Sequence, residues 1–253
     1  MILPQLLPLL ALMGAASYFQ TVTGFGLGMI VIGVASGMKL APITSLTVLV
    51  SLVMLVNSAT ALPGKFHHID WRAVGAALLG ALPSVVAGVL VLNFLSGSAS
   101  SLLQLLLGMV VLYGGLSAAW RPAPLPRRSN DRSFFLAGVF GGLLSGMFGV
   151  SGPPLIFQFY RQPLSIMQIR CALILIFAAS STVRTLLSLC KGQFNGAIWI
   201  QAAFAIPVVA LTTIVARRYP PPLSSVNTRR IAYTTLVAIG GSLIFGALPH
   251  LSG

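Results

Sequence analysis

Apolar residues fill this chain in long blocks rather than in the alternating patterns of soluble helices or strands. Eight blocks follow one another along 253 residues, with short polar breaks between them. A helix of about 20 apolar residues matches the thickness of the lipid hydrocarbon core. The pattern therefore predicts an all-α integral membrane protein. The blocks cover roughly residues 4–36, 41–62, 72–95, 101–120, 133–160, 164–189, 196–216 and 229–248.

One long polar segment divides the chain. Residues 121–132, RPAPLPRRSNDR, are basic and rich in Pro, which indicates a solvent-exposed loop. The segments on either side, 1–120 and 133–253, repeat the same landmarks at an offset of 121 to 128 residues, for example Trp71 and Trp199. We predict two membrane repeats of four blocks each.

The first block of each repeat is too long for one membrane span. As single helices, residues 4–36 would measure about 50 Å and residues 133–160 about 42 Å, against about 30 Å of hydrocarbon. Each block is interrupted near its middle and is predicted to be a broken helix or a re-entrant hairpin. The interrupting residues are Gly24, Gly26 and Gly28 in the first block and Gly149, Gly152, Pro153 and Pro154 in the second.

The distribution of Lys and Arg favours re-entrant hairpins. If all eight blocks cross, the basic residues of the loops divide seven to seven between the two faces. If the first and fifth blocks dip in and return, only Lys39 and Lys191 lie on one face and twelve lie on the other, as the positive-inside rule prefers. We predict six spans plus two re-entrant elements in two inverted repeats, with both termini outside. Eight spans in two parallel four-helix repeats are the alternative.

Charge narrows the function. The net charge is +13, yet the basic residues lie at block ends, which indicates membrane orientation and not nucleic-acid binding. The only acidic residues, Asp70 and Asp131, lie in predicted loops. The blocks hold no carboxylate pair and no His/Cys cluster, which argues against an enzyme and a metal site. No cofactor is implied; the expected partners are the bilayer and a small anion, and a homo-oligomer stays open.

The two breaks form the predicted binding site. A broken helix leaves N–H groups without partners in the membrane, and the start of a helix attracts anions. Arg170 and Arg184 add guanidinium groups suited to oxyanions, with snorkelling to the surface as the alternative. For the glycines the alternative is close helix packing. The candidate substrate-binding residues are Thr21, Thr23, Gly24, Phe25, Gly26, Asn57, Gly149, Val150, Ser151, Gly152, Gln158, Arg170 and Arg184.

Three segments resemble the TauE/SafE family of membrane transporters. They are QTVTGFGLG at 20–28, GGLLSGMFGVSGPP at 141–154 and PLSIMQIRCALILIF at 163–177. The resemblance implies a duplicated multi-pass protein that moves sulfite or another small sulfur-containing or organic anion. We therefore expect a secondary transporter, an exporter or exchanger, in a bacterial cytoplasmic membrane. An anion-selective channel is the alternative, followed by an intramembrane enzyme or a structural subunit.

Overall fold

The computed structural model describes residues 3–38, 40, 43–94, 105, 109, 112, 116, 124–148, 152–222 and 224–247. All regular elements within these ranges are helical, which confirms the predicted all-α fold. A short 3-10 helix, Phe66–His68, precedes α4. The α-helices are α1 (Leu3–Thr23), α2 (Leu27–Gly37), α3 (Ile43–Ala61), α4 (Trp71–Phe94), α5 (Asp131–Phe148), α6 (Gly152–Tyr160), α7 (Ile166–Cys190), α8 (Gly196–Arg218) and α9 (Ser225–Ala247).

Several of these helices are long and apolar enough to cross a membrane. In the described ranges, four segments qualify: Leu6–Thr23, Trp71–Val91, Ile166–Cys190 and Gly196–Arg218. Large apolar side chains remain exposed on the surface, including Phe245 at 75% and Leu79 at 72%. A bilayer would cover such side chains, so the chain is a multi-pass membrane protein.

The first long block is broken at the predicted position. Helix α1 ends at Thr23 and α2 begins at Leu27, with positive φ at Gly24 (93°) and Gly26 (112°) between them. Helix α5 ends at Phe148 and α6 begins at Gly152. The intervening candidates, Gly149, Val150 and Ser151, lie outside the described residues.

The helices of the two predicted repeats pack on one another in a reciprocal pattern. Helix α1 packs on α8 while α5 packs on α4; α3 packs on α8 while α7 packs on α4; and α3 and α7 pack on each other. With α1 to α4 in the first predicted repeat and α5 to α9 in the second, each of these contacts has a counterpart in which the repeats are interchanged. A two-fold relation between the halves would produce this pattern. The inverted orientation of the repeats stays a prediction.

Helices α4 and α5 lie in backbone contact along much of their length. A Cβ atom at Gly80 or Gly88 of α4 would collide with carbonyl oxygens of α5. The reverse holds at Gly138, Gly142 and Gly146 of α5, where the obstacles are carbonyl oxygens of α4. Small residues every four positions allow membrane helices to approach this closely. These glycines therefore serve packing.

Two contacts bear on the number of crossings. The Leu125 amide donates to the Arg161 carbonyl at 2.8 Å, which places the loop before α5 beside the turn after α6. The Arg217 guanidinium donates to the Pro63 carbonyl at 3.1 Å, which places the end of α8 beside the loop after α3. Eight crossings would put each of these pairs on opposite faces. The contacts favour re-entrant hairpins, and the number of crossings stays a prediction.

Candidate functional site

A small cavity lies where the two breaks meet. Met29, in the first turn of α2, lies so close to the first residue of α6 that a Cβ at Gly152 would be 2.8 Å from Met29 Cε. The cavity volume is about 20 Å³, which holds about one water molecule. The lining residues are Gln20, Gly26, Gly28, Met29, Val50, Ser51, Met54, Ser145, Gly152, Phe177, Ser181 and Arg184.

Gln20 fixes the geometry of the first break. Its Oε1 accepts a hydrogen bond from the Leu27 amide at 3.0 Å and so caps the first residue of α2. Its Nε2 donates to Asn57 Oδ1 at 3.0 Å, which ties α1 to α3. Gly28 and Met29 follow Leu27 in the first turn, where backbone N–H groups have no partner within the helix. Helix α2 therefore presents N–H donors at the cavity.

The start of α6 supplies fewer N–H donors than the start of α2. Helix α6 begins Gly152-Pro153-Pro154, and a Pro residue has no backbone N–H. Pro suits the first turn of a helix because an N–H there would have no partner. Gly152 therefore allows close approach of Met29, and the starts of α2 and α6 are not chemically equivalent.

Asn57 and Thr21 belong to a buried polar network behind the cavity. Asn57 Nδ2 lies 2.9 Å from Thr21 Oγ1, 3.1 Å from Ser17 Oγ and 2.8 Å from Thr213 Oγ1. These hydrogen bonds join α1, α3 and α8. Neither predicted residue lines the cavity, and satisfied networks of this kind hold helices in one arrangement.

Thr23, Gly24 and Phe25 are also enclosed by protein. Thr23 Oγ1 donates to the Phe19 carbonyl at 2.8 Å, and the fully buried Phe25 ring packs edge-to-face against Tyr160. A Cβ at Gly24 would be 2.8 Å from the Cα of Arg170. Of the five candidates in the first break, only Gly26 lines the cavity.

Arg184 is the one charged side chain among the described lining residues. Its Nη1 donates to the carbonyls of Ser145 and Gly146, the latter at 3.2 Å, in the last turns of α5. Carbonyl groups at the end of a helix lack intrahelical partners and attract cations. The buried Arg184 Nε has no hydrogen-bond partner in the described part of the chain. The guanidinium is thus anchored on one edge and keeps a donor for an oxyanion.

Arg170 and Gln158 lie away from the cavity. Arg170 precedes Arg184 by fourteen residues on α7, or about 21 Å along the helix. Its backbone lies against Gly24, and the neighbouring Thr23 carbonyl accepts a hydrogen bond from the Tyr160 hydroxyl at 2.5 Å. Gln158 is buried on α6 and does not line the cavity.

Sequence reasoning missed most of the walls supplied by α3 and α7. Phe177, Ser181 and Arg184 follow one another at spacings of four and three, so they share one face of α7. That spacing is a usable signal once Arg184 is taken as the reference. Val50 and Met54 on α3 show the same spacing, but an apolar membrane helix carries such pairs on every face.

Both acidic side chains of the protein lie in one ion-pair cluster away from the cavity. Arg128 bridges Asp70 at 3.3 Å and Asp131 at 2.8 Å, and Arg72 Nε lies 2.7 Å from Asp131. Hydrogen bonds from Arg72 and then Arg128 hold the pKa of the Asp131 carboxyl below its ordinary value. The cluster joins the start of α4 to the start of α5.

Known proteins resemble the chain over most of its length. The model of the family "Sulfite exporter TauE/SafE" matches residues 9–243. A Cupriavidus necator protein named "Probable sulfite/organosulfonate exporter TauE" is 65% identical over 246 residues, which is 96% of each chain. "Probable inner membrane transporter protein TsaS" of Comamonas testosteroni is 26% identical over 200 residues, 76% of this chain and 80% of its own. A probable membrane transporter protein of Methanocaldococcus jannaschii is 29% identical over 164 residues, 58% of each chain. No solved structure matches the chain significantly.

Proposed function

The chain belongs to the TauE/SafE sulfite exporter family, and on that premise we propose that it carries small sulfur-containing oxyanions across the membrane as a secondary transporter. Membership makes it a membrane transporter and not an enzyme. Sulfite and organosulfonates are the expected substrates, since the 65% identical relative is named for them. The substrate binds in the cavity between the two breaks.

The position of Arg184 carries this proposal. The guanidinium lines the cavity from α7, while the N–H groups in the first turn of α2 reach it from the first break. Both kinds of donor suit an oxyanion, and a charge-assisted hydrogen bond is about twice as strong as a neutral one. No acidic side chain among the described lining residues competes for these donors.

The size of the cavity indicates that the protein must change conformation to carry its substrate. With about 20 Å³, it is too small for an anion that has three oxygen atoms around sulfur. The surrounding helices must move apart to admit the substrate, so the closed arrangement is one of at least two states. The short helices α2 and α6, of 11 and 9 residues, lie at the breaks and can move with them.

Counterflow in proteoliposomes tests the function directly. Vesicles are preloaded with unlabelled sulfite, methanesulfonate, thiosulfate or oxalate, and the labelled anion is added outside. Transient accumulation above equilibrium with sulfite or methanesulfonate is the expected result. Equilibration without an overshoot would indicate a channel, and no flux of any of these anions would contradict the proposed function.

Arg184→Gln tests the site. Loss of a charged hydrogen-bond donor costs about 2 kcal/mol or more, so we expect the apparent affinity for methanesulfonate to fall about 30-fold or more. Arg218→Gln removes a positive charge from the exposed end of α8 and serves as the control, with unchanged transport expected. Size-exclusion profiles verify that both variants are folded. Wild-type affinity in folded Arg184→Gln would place the binding site elsewhere.

A further inference from the structure

We propose that the cavity selects anions that carry a single negative charge. Sulfite then crosses as hydrogensulfite, together with its proton, while dianions such as sulfate are excluded. This inference rests on the proposed function and adds the charge state of the substrate to it.

The fixed charge of the described cavity lining amounts to about one positive unit. Arg184 is the one charged group among these residues. The starts of α2 and α6 each contribute about half a positive charge, and the ends of α1 and α5 each contribute about half a negative charge. These partial charges offset one another, and the guanidinium charge remains.

One positive charge balances a monoanion and leaves a dianion with an unpaired charge. An unpaired charge inside a protein surrounded by lipid carries a large desolvation penalty, even after relaxation. The other cationic side chain of α7 is about 21 Å away at Arg170. We therefore expect at least hundredfold discrimination against dianions.

Part of the cavity lining is apolar, which also disfavours sulfate. Val50, Met54 and Phe177 belong to this part, together with the thioether of Met29. Sulfate oxygen atoms that face these side chains find no hydrogen-bond donors on them. A sulfonate can turn its oxygens toward Arg184 and its carbon toward the apolar side chains. Charge and shape thus favour the same class of ligand.

The titrating group in this mechanism is the substrate. Among the described residues, no His, Cys, Tyr, Lys, Asp or Glu lines the cavity. Hydrogensulfite gives up its proton near neutral pH to form the sulfite dianion. The transported ion keeps its proton during passage and releases it into water afterwards. No bond to sulfur forms or breaks, and the protein needs no intramembrane carboxylate.

The test measures initial uptake into proteoliposomes containing the full chain, from about pH 6 to about pH 9 on both sides. Labelled sulfite below saturation is compared with methanesulfonate, which is a monoanion throughout this range. Sulfite uptake should fall about tenfold per pH unit above the pKa of hydrogensulfite. Methanesulfonate uptake should stay constant, and sulfate uptake should be at most about one hundredth of it.

Each outcome has a distinct meaning. A sulfite rate that is flat or rises with pH, or sulfate uptake near that of methanesulfonate, would overturn charge selection while leaving the transporter intact. Absence of flux for sulfite and methanesulfonate at every pH would instead overturn the proposed function, and the inference with it.

A second positive charge should change the selectivity in a predictable direction. Ser181→Lys adds a cation to the lining, and Thr182→Lys adds one at the neighbouring exposed position of α7 as the matched control. The ratio of sulfate to methanesulfonate uptake should rise at least tenfold in Ser181→Lys and stay unchanged in Thr182→Lys. Equal ratios in two folded variants would overturn the proposal. If Ser181→Lys does not fold, the pH profile of the wild type decides alone.

Discussion

Gly24 is constrained both by its own backbone and by a neighbouring helix. Its φ of 93° lies in the left-handed region, where a Cβ costs about 1–2 kcal/mol. An added Cβ would also lie 2.8 Å from the Cα of Arg170, and a backbone atom in α7 cannot turn aside as a side chain can. The first break is therefore built against α7 at this residue.

Gly24→Ala should destabilise the protein more than Gly64→Ala does. Gly64 has a φ of 77° but open space around it, so its substitution costs only the backbone strain. At Gly24 the collision adds about 1–3 kcal/mol. Thermal unfolding of both detergent-purified variants measures the difference, and equal midpoints would show that the contact with Arg170 relaxes freely.

The sequence alone does not show which of the two arginines, Arg170 or Arg184, lines the cavity. Both arginines are ionisable residues in an apolar block, which made them candidates. Their spacing of fourteen residues places them on nearly the same face of α7, so periodicity cannot rank them. The difference arises from tertiary contacts: the end of α5 reaches Arg184, whereas Gly24 reaches the backbone of Arg170.

Among the described helices, α4 and α5 have the most extensive contact with each other. Gly142 lies within that contact. A Cβ there would collide with the Ala81 carbonyl oxygen. Gly142→Ala should therefore destabilise the protein by about 1–3 kcal/mol, while Gly75→Ala, whose Cβ meets open space, should not. The measurement is the fraction of each purified variant that remains monodisperse on size-exclusion chromatography after heating. Equal losses in the two variants would contradict the close packing of this pair.

The ion-pair cluster at the starts of α4 and α5 should make stability depend on pH in the acid range. The lowered pKa of Asp131 means that its contribution is present above the ordinary Asp pKa and is lost as pH falls through the lowered value. Unfolding should thus become easier below about pH 4. The Asp131→Asn variant should be less stable than the wild type at neutral pH. It should also lose less stability when the pH is lowered. Parallel profiles for wild type and variant would exclude this role.

The breaks themselves are the elements that the sequence predicts best. Gly and Pro interrupt helices by local chemistry, so Gly24, Gly26, Pro153 and Pro154 mark the positions directly. The capping of α2 by Gln20 depends on how the chain folds back over seven residues, which no local sequence pattern encodes.

For the whole molecule, native cysteine provides a test of the topology. Cys190 is exposed at the end of α7 and Cys171 is buried. With re-entrant hairpins, Cys190 lies on the outer face, opposite residue 127 in the central loop; with eight crossings both lie on the same face. We expect an impermeant maleimide to label Cys190 in intact cells. Arg127→Cys in a Cys190→Ser background should react only after permeabilisation, and equal labelling in intact cells would favour eight crossings.

Hydropathy does not predict which helices of the two predicted repeats pack against each other. Side chains that face lipid and side chains that face another membrane helix are both apolar, so an apolar block does not reveal its neighbours. The repeated landmarks predicted two related halves. Contacts between helices, such as those of α3 with α8 and of α7 with α4, show how the two predicted halves pack together.

A cavity with a single positive charge also has an electrical consequence. If the carrier returns empty, each cycle moves one negative charge across the bilayer, so transport responds to voltage. A potential of 100 mV, negative inside, contributes about 2.3 kcal/mol per charge, equivalent to about a fiftyfold concentration ratio. The resting voltage of a cell would then expel the anion without a gradient of any second ion.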